Sequence, residues 1–426
     1  MADRRTFVIV GAGMAGAKAA ETLREEGFDG RIVLIGAERE LPYERPPLSK
    51  SYLKGESPRE GARVHPAGFH DEHEIELMTG TAATGLDPAG HTVELDDGRT
   101  LAYDRLLIAT GAVAARPPLA GAQLDGVHVL RTLADADALR AGLAGGGPLV
   151  VIGAGWIGCE VAASARELGV EVTLLEYAAT PLHRVLGPEL GEFFAGVHRE
   201  HGVRVITDAR VEAIEGDTRA RAVRLADGRL LDCDTVVVGV GARPATRLAE
   251  AAGLPVQDGI RVDHQLRTTH PDVFAAGDVA AYRSDRYGGH VRVEHWANAL
   301  EQGPAAARAM LGGGPPFDAL PYFFSDQYDV GMEYTGLHAA ADRVVVRGKP
   351  EERRLQAFWI APDGRIGAGM HINEWDSIEP IKRLVEARAA VDPARLGDTG
   401  DSLEDIARAP TETRNGRARE RARLLG

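Results

Sequence analysis

Positions 6–10, Thr6-Phe-Val-Ile-Val10, form an unbroken β-rich run. It is followed by the small-residue turn Gly11-Ala-Gly13-Met-Ala-Gly16 and by Ala17-Lys-Ala-Ala-Glu-Thr-Leu23, which reads as a helix. A second β-rich run, Arg31-Ile-Val-Leu-Ile35, ends just before the acidic Glu38. Strand, glycine turn, helix, strand and acid stand in the order that a dinucleotide-binding βαβ unit requires. Gly11 permits the tight turn, Gly13 lets backbone approach a pyrophosphate, and Gly16 lets helix and strand pack closely, while amides at the helix start face the anion. A lone glycine fingerprint also occurs as a plain turn in unrelated α/β proteins, so the surrounding order carries the inference.

The same pattern recurs in Leu149-Val-Val-Ile152, Gly153-Ala-Gly155-Trp-Ile-Gly158, a helix through Leu168, Glu171-Val-Thr-Leu-Leu175 and Glu176. A further duplication supports it. Asp97-Gly-Arg-Thr-Leu-Ala-Tyr-Asp104 leads through Leu106–Ala109 to Gly111, and Asp227-Gly-Arg-Leu-Leu-Asp-Cys-Asp234 leads through Val236–Val238 to Gly241. Two related nucleotide-binding domains explain both repeats in one order. A carboxylate at the end of the second strand accepts ribose hydroxyls and repels a 2′-phosphate, so Glu176 predicts NADH over NADPH. Tyr177, Ala178 and Ala179 bring no cation for that phosphate. Glu38, 22 positions past Gly16, is the corresponding acid of the first unit.

Charge narrows the classes of partner. The chain of 426 residues carries a net charge of −14, which argues against a general nucleic-acid binder. No run approaches the roughly 20 apolar residues of a membrane span. Arg4-Arg5 ahead of an apolar run resembles a twin-arginine signal, but cleavage there would remove the first nucleotide-binding strand, so a cytoplasmic protein is expected. Cys159 and Cys233 are the only cysteines and make neither a disulfide framework nor a Cys-x-x-Cys pair. The 14 histidines are scattered, and His290, His295 and His371 lack metal-spaced companions, so no metal is expected.

Further along stand Leu41-Pro-Tyr-Glu-Arg-Pro-Pro-Leu-Ser-Lys50, Thr269-His-Pro-Asp-Val-Phe-Ala-Ala-Gly-Asp278, Val293-Glu-His-Trp-Ala-Asn-Ala-Leu-Glu-Gln-Gly303 and Pro321-Tyr-Phe-Phe-Ser-Asp-Gln-Tyr328. With the fingerprints, this ordered set resembles the FAD-dependent ferredoxin and rubredoxin reductases of oxygenase electron-transfer chains, over nearly the whole sequence. The resemblance implies an α/β fold with two Rossmann-like dinucleotide-binding domains of the glutathione-reductase type and a C-terminal α+β interface domain. The expected bounds are 1–115 with 246–318 for a discontinuous FAD domain, 116–245 for the NAD domain and 319–426 for the interface domain. It further implies FAD at Gly11, Gly13, Ala15, Gly16 and Glu38, with Ala15 and Ala83 giving mainly backbone groups. Gly277 and Asp278 would return to that site, Asp278 bonding the ribityl chain. Arg45 and Lys50 would lie beside the isoalloxazine or pyrophosphate, Arg131 would touch the cofactor and Trp296 would border the ring. NADH would occupy Gly153, Gly155, Ile157, Gly158, Glu176 and Gly241.

No nucleophile elbow, His-x-x-x-His pair or spaced carboxylate dyad is present, so the chemistry belongs to cofactors that the protein orients. Hydride transfer from NADH to flavin N5 is the expected step. Glu160 resembles the family glutamate near the nicotinamide, with Lys50 as its expected partner; on residue type alone it equally suits a helix N-terminus. Disulfide reductases keep two cysteines, and related oxidases and peroxidases one, where this chain has Tyr43-Glu-Arg-Pro-Pro47. Electrons are therefore expected to leave singly, to an iron–sulfur ferredoxin serving a terminal oxygenase. An NADH oxidase and a redox-sensing flavoprotein like the apoptosis-inducing ones are the competing readings, and both monomer and homodimer stay open. Phe324 departs from the tryptophan of several relatives. The basic stretch Arg414-Asn-Gly-Arg-Ala-Arg-Glu-Arg-Ala-Arg-Leu-Leu425 suits a solvated terminus better than a ferredoxin dock.

Overall fold

A computed structural model describes residues 5–339 and 342–408. The basic stretch from Arg414 and the first arginine of the Arg4-Arg5 pair lie outside the described residues. The chain forms two compact units, the first comprising residues 1–145, 213–221 and 234–319, and the second residues 146–212, 222–233 and 320–426. The second unit thus joins the second fingerprint to the C-terminal region.

The first unit is built on a five-stranded parallel sheet in the order Val273–Ala275, Arg105–Ile108, Thr6–Val10, Arg31–Gly36, Ile75–Thr79. Its central strands are apolar throughout because helices cover both faces of such sheets, and Phe7, Val8, Ile9, Leu106, Leu107 and Ile108 are all 0 % exposed. Val10 pairs with Ile35 and with Ile108, and Ile108 pairs with Ala275. The strand preceding Gly277-Asp278 therefore joins the sheet of the first fingerprint, although more than 250 residues separate them. Helix Met14–Glu25 packs against helix Trp296–Met310. A Cβ on Gly303 would stand 2.4 Å from the Ala15 carbonyl oxygen, so glycine there sets how closely the helices approach.

In the second unit, Leu149–Ile152, Val172–Leu175 and Arg204–Ile206 are parallel neighbours. Its C-terminal part is a five-stranded antiparallel sheet in the order Tyr322–Gln327, Val330–Gly336, Ile366–Ile372, Arg354–Ile360, Arg343–Lys349. Phe358 and Ile366 of this sheet pack with Ile381 and Leu384 of helix Ile378–Glu386 and with Leu396 to form its core. Strand Val330–Gly336, which contains two glycines, follows Tyr322–Gln327 after the two-residue connection Tyr328-Asp329. Parallel sheets carrying both fingerprints, with an α+β C-terminal region, make up the expected α/β class. Among the described residues no helix is long and apolar enough to cross a membrane.

Candidate functional site

Both fingerprints fold to the same geometry. Gly11 N–H donates to the Ile35 carbonyl at 2.8 Å, and Gly153 N–H donates to Leu175 at 2.8 Å. Gly11 has φ +116°, and a Cβ there would lie 2.1 Å from Ala109 O. A Cβ on Gly16 would meet Gly11 O at 1.9 Å, as one on Gly158 would meet Gly153 O at 1.9 Å. The middle glycines differ: nothing lies within 4 Å of a Cβ built on Gly13 or Gly155. Each is the N-cap of its helix, Met14–Glu25 or Trp156–Glu167, with no side-chain cap and no acid in the first turn. Open space before uncapped helix amides, which a methyl group would fill, suits a pyrophosphate.

A string of polar contacts extends from the first cradle. Arg131 Nη2 donates to Asp278 at 2.5 Å and its Nε to the Ala112 carbonyl at 2.9 Å. Arg45 donates to the Arg131 carbonyl and reaches Glu38 at 3.4 Å. The Tyr43 hydroxyl donates to Glu38 at 2.5 Å while accepting Leu133 N–H at 3.2 Å. Burial, with Glu38 alongside, raises the Tyr43 pKa and keeps the phenol protonated despite Arg45. Glu38, Arg45, Arg131 and Asp278, from well-separated parts of the sequence, are thus connected. Gly277, at φ +80°, donates its N–H to Gln302 Oε1 at 2.8 Å. Gln302 is 0 % exposed, and its Nε2 has no partner among the described residues. An orphaned buried donor is costly, and this one, beside the Gly277-Asp278 turn, fits a polar cofactor.

Lys50 links the turn Pro46–Ser49 to the helix Ser51–Lys54 and is half-buried. Trp296 opens its helix half-buried, behind His295, whose pKa burial pushes down to about 4. Ala83 begins strand Ala83–Asp87, just after Thr81 N–H bonds the Gly36 carbonyl at 2.9 Å. Gly241, expected with NADH, falls in the first unit, where its carbonyl accepts Ala115 N–H at 2.9 Å. Its repeat counterpart Gly111 accepts Ala245 N–H at 2.9 Å, so the duplicated glycines brace opposite ends of one antiparallel ribbon, Ala112–Ala114 with Ala242–Pro244.

Around the second cradle, Glu176 accepts Ala154 N–H and Ala178 N–H, each at 2.8 Å, one on each carboxylate oxygen. Its remaining lone pairs suit ribose hydroxyls. Ile157 is 44 % exposed beside Gly158. Glu160, 4 % exposed, accepts the Ser325 hydroxyl at 2.8 Å. Cys159 is fully buried and its thiol pKa is raised, mainly by desolvation, so it stays a thiol. Sequence reasoning missed one histidine-containing group: His91, His270 and Asp272 bring ligand atoms within 4.8 Å of one another. Arg105 Nε already bonds Asp272 at 3.0 Å, and the His91 ring stacks on Tyr103. These residues lie outside both fingerprints.

The family profile described as pyridine nucleotide-disulphide oxidoreductase matches residues 5–303, and one described as reductase C-terminal matches residues 322–407. The chain belongs to the pyridine nucleotide-disulphide oxidoreductase family. This oxidoreductase is 41 % identical over 395 residues to the ferredoxin–NAD(+) reductase component of the anthranilate 1,2-dioxygenase system of Burkholderia cepacia, covering 92 % of this chain and 97 % of the relative. It is 38 % identical to putidaredoxin reductase of Pseudomonas putida, covering 94 % and 96 %. The crystal structure of a covalent putidaredoxin reductase–putidaredoxin complex superposes with a TM-score of 0.92 at 37 % identity, covering 95 % of this chain and 99 % of that one.

Tyr43, Gln302, Gln327 and His198 were missed as polar partners in this oxidoreductase. The first three lie inside motifs already noticed, but their roles depend on side-chain direction. One signal was available for the third: in Phe323, Ser325 and Gln327 the strand's alternation sends every second residue to one buried face.

Proposed function

We propose that the protein is an FAD-dependent NADH:ferredoxin reductase, delivering electrons to an iron–sulfur ferredoxin of a monooxygenase or ring-hydroxylating dioxygenase system. One observation carries this reading: two glycine cradles open to a pyrophosphate occur on a chain whose two cysteines are both buried and both outside the first compact unit. No thiol of that unit can relay electrons, so a one-electron partner protein is the natural acceptor. FAD, when bound, supplies the exchange between a two-electron donor and a one-electron acceptor.

The chain's own residues bind and orient. Gly11, Gly13, Ala15 and Gly16 receive the FAD pyrophosphate, Glu38 its adenosine ribose, and Gly277 with Asp278 its ribityl side, Arg131 holding Asp278 in place. Arg45 steadies this string from the proline-rich loop. Ala83 contributes backbone, Trp296 borders the ring, and Lys50 is the cation that favours the reduced flavin. Gly153, Gly155, Ile157, Gly158 and Gly241 belong to the NADH side, with Glu176 selecting NADH and Glu160 orienting the nicotinamide. The proposed bounds are those read from the sequence, the cytosol is the proposed compartment, and the acidic chain has no use for nucleic acid.

The test is anaerobic reduction of the yellow protein by NADH, followed by mixing with oxidised ferredoxins from the same organism. Fast flavin bleaching with fast ferredoxin reduction is expected. Bleaching that only oxygen reverses rapidly would overturn the reading in favour of an oxidase. A long-lived reduced complex that dimerises on NADH would overturn it in favour of a sensor.

A further inference from the structure

Within the second unit a buried hydrogen-bond chain runs from Tyr328 to Glu160. Tyr328 Oη lies 3.1 Å from His198 Nδ1, and His198 Nε2 lies 3.0 Å from Gln327 Oε1. Gln327 Nε2 lies 3.3 Å from Ser325 Oγ, which lies 2.8 Å from Glu160 Oε1. Ser325 and Gln327 are 1 % exposed, and His198 is 0 % exposed. Three elements supply it: helix Trp156–Glu167, helix His183–Glu200 and strand Tyr322–Gln327 with the residue after it.

The direction of every bond follows from one end. A carboxylate can only accept, so Ser325 spends its single proton on Glu160. Ser325 must then accept from the Gln327 amide, which turns Oε1 of Gln327 toward His198 and makes Nε2 the protonated nitrogen of the ring. Burial drives the His198 pKa down to about 4, so the ring is neutral and Nδ1 accepts from Tyr328. Tyr328 is a secure donor because burial raises its pKa. All four hydrogens point the same way, an arrangement in which each bond polarises the next.

We infer that Tyr328, His198, Gln327 and Ser325 are positioning residues that hold the Glu160 carboxylate in one orientation for the nicotinamide. This rests on the proposed role of Glu160. The chain gives Glu160 Oε1 a donor of fixed direction, and it ties that carboxylate to the C-terminal sheet through strand Tyr322–Gln327. Charged and titratable groups facing its outer end are Cys159, Arg166 and Glu167 from the first helix and His201 from beyond the second, the last stacked on Tyr328 at 3.7 Å. Asp329, beside Tyr328, is held by Arg353 and lies 3.8 Å from His201.

The test uses full-length, FAD-loaded protein and two readouts. The first is nitrogen-15 NMR of the histidine side chains, with His198 assigned from the signal lost in His198→Gln. Wild type should show one neutral Nε2–H tautomer, and Ser325→Ala should convert it to a mixture although Ser325 does not touch His198. The second is flavin reduction at saturating NADH. Ser325→Ala and Gln327→Leu should slow it roughly tenfold, short of the ~100-fold a 1 Å misplacement can cost, with NAD+ affinity held within twofold. Ser325→Thr, which keeps the hydroxyl, should restore both readouts. Tyr328→Phe removes only the outer donor and serves if an inner variant does not fold; it too should shift the His198 signal. An unchanged His198 tautomer in Ser325→Ala, or unchanged reduction in Ser325→Ala and Gln327→Leu while Glu160→Gln slows it, overturns the chain alone. If Glu160→Gln itself leaves reduction unchanged, the nicotinamide reading of Glu160 falls instead, and the inference with it.

Discussion

Gly13 and Gly16, three residues apart, should fail in opposite ways when a methyl group is added. In Gly16→Ala the new Cβ would stand 1.9 Å from Gly11 O, 3.1 Å from Gly11 C and 3.3 Å from Ile9 Cγ2. The first distance is more than 1 Å inside ordinary contact, and the obstacle is backbone of the strand-to-helix turn, so the helix must move off the sheet. Overpacking of this kind costs about 1–3 kcal/mol, and a clash with backbone belongs at or above the top of that range. In Gly13→Ala the Cβ meets nothing within 4 Å, and the φ of −83° is open to any residue. Its stability change in flavin-free protein is expected within ~1 kcal/mol, a small loss of N-cap preference being offset by a stiffer unfolded chain. FAD should then bind at least tenfold more weakly, about 1.4 kcal/mol, because the methyl fills the cradle. The assays are urea unfolding of flavin-free protein and FAD titration by flavin fluorescence. Equal destabilisation by the two variants, or full FAD affinity in Gly13→Ala, would refute the division of labour.

Gly155→Ala should repeat this in the second copy, weakening NADH in titrations while leaving FAD content intact. Asp278→Ala strands the Arg131 guanidinium that it pairs at 2.5 Å; FAD retention through gel filtration should fall, and Asp278→Asn should fall less. Glu176→Ala removes two carboxylate bonds to backbone amides. We expect a loss of about 1–3 kcal/mol in stability and a roughly tenfold smaller preference for NADH over NADPH, read from steady-state kinetics with both cofactors. His198 and His295 have folded pKa values near 4 against an ordinary value of 6.5. Between those values the unfolded chain binds more protons, so stability should drop as pH falls from about 6.5 to 4, by on the order of 3 kcal/mol for each at most. Urea unfolding of His198→Phe across that range should show a shallower acid slope, and an unchanged slope would count against a buried neutral ring.

Much of this architecture was legible because the residues that carry it are constrained locally. A strand covered on both faces must be apolar, and a turn under a helix must lack a Cβ, so Thr6–Val10 with Gly11 and Leu149–Ile152 with Gly153 announced themselves twice. The return of Gly277-Asp278 to the first sheet was legible only through resemblance, since nothing in the local pattern of Val273–Ala275 names Arg105–Ile108 as its neighbour. The boundary between strands Tyr322–Gln327 and Val330–Gly336 is not legible, because the polar run Ser325–Asp329 lies mostly inside the first strand and only Tyr328-Asp329 forms the connection.

The acids show where spacing stops being a guide. Val10 faces Ile35 in the first copy and Ile152 faces Leu175 in the second, so the residue aligned with Glu176 is Gly36, and Glu38 lies two positions further on. A Cβ on Gly36 would come within 2.8 Å of Ala12 Cβ, so the first copy has no room for a side chain where the second places its carboxylate. The two acids consequently take different partners. Glu176 accepts the Ala154 amide of its own glycine turn, whereas Glu38 accepts the Tyr43 hydroxyl and reaches Arg45, both from the proline-rich loop. The first acid is therefore coupled to the loop that carries Lys50 and, through the carbonyl of Arg131, to Asp278. A duplicated fingerprint has kept its backbone geometry while its acids diverged: one braces its own glycine turn, and the other ties together the proline-rich loop, Arg131 and Asp278.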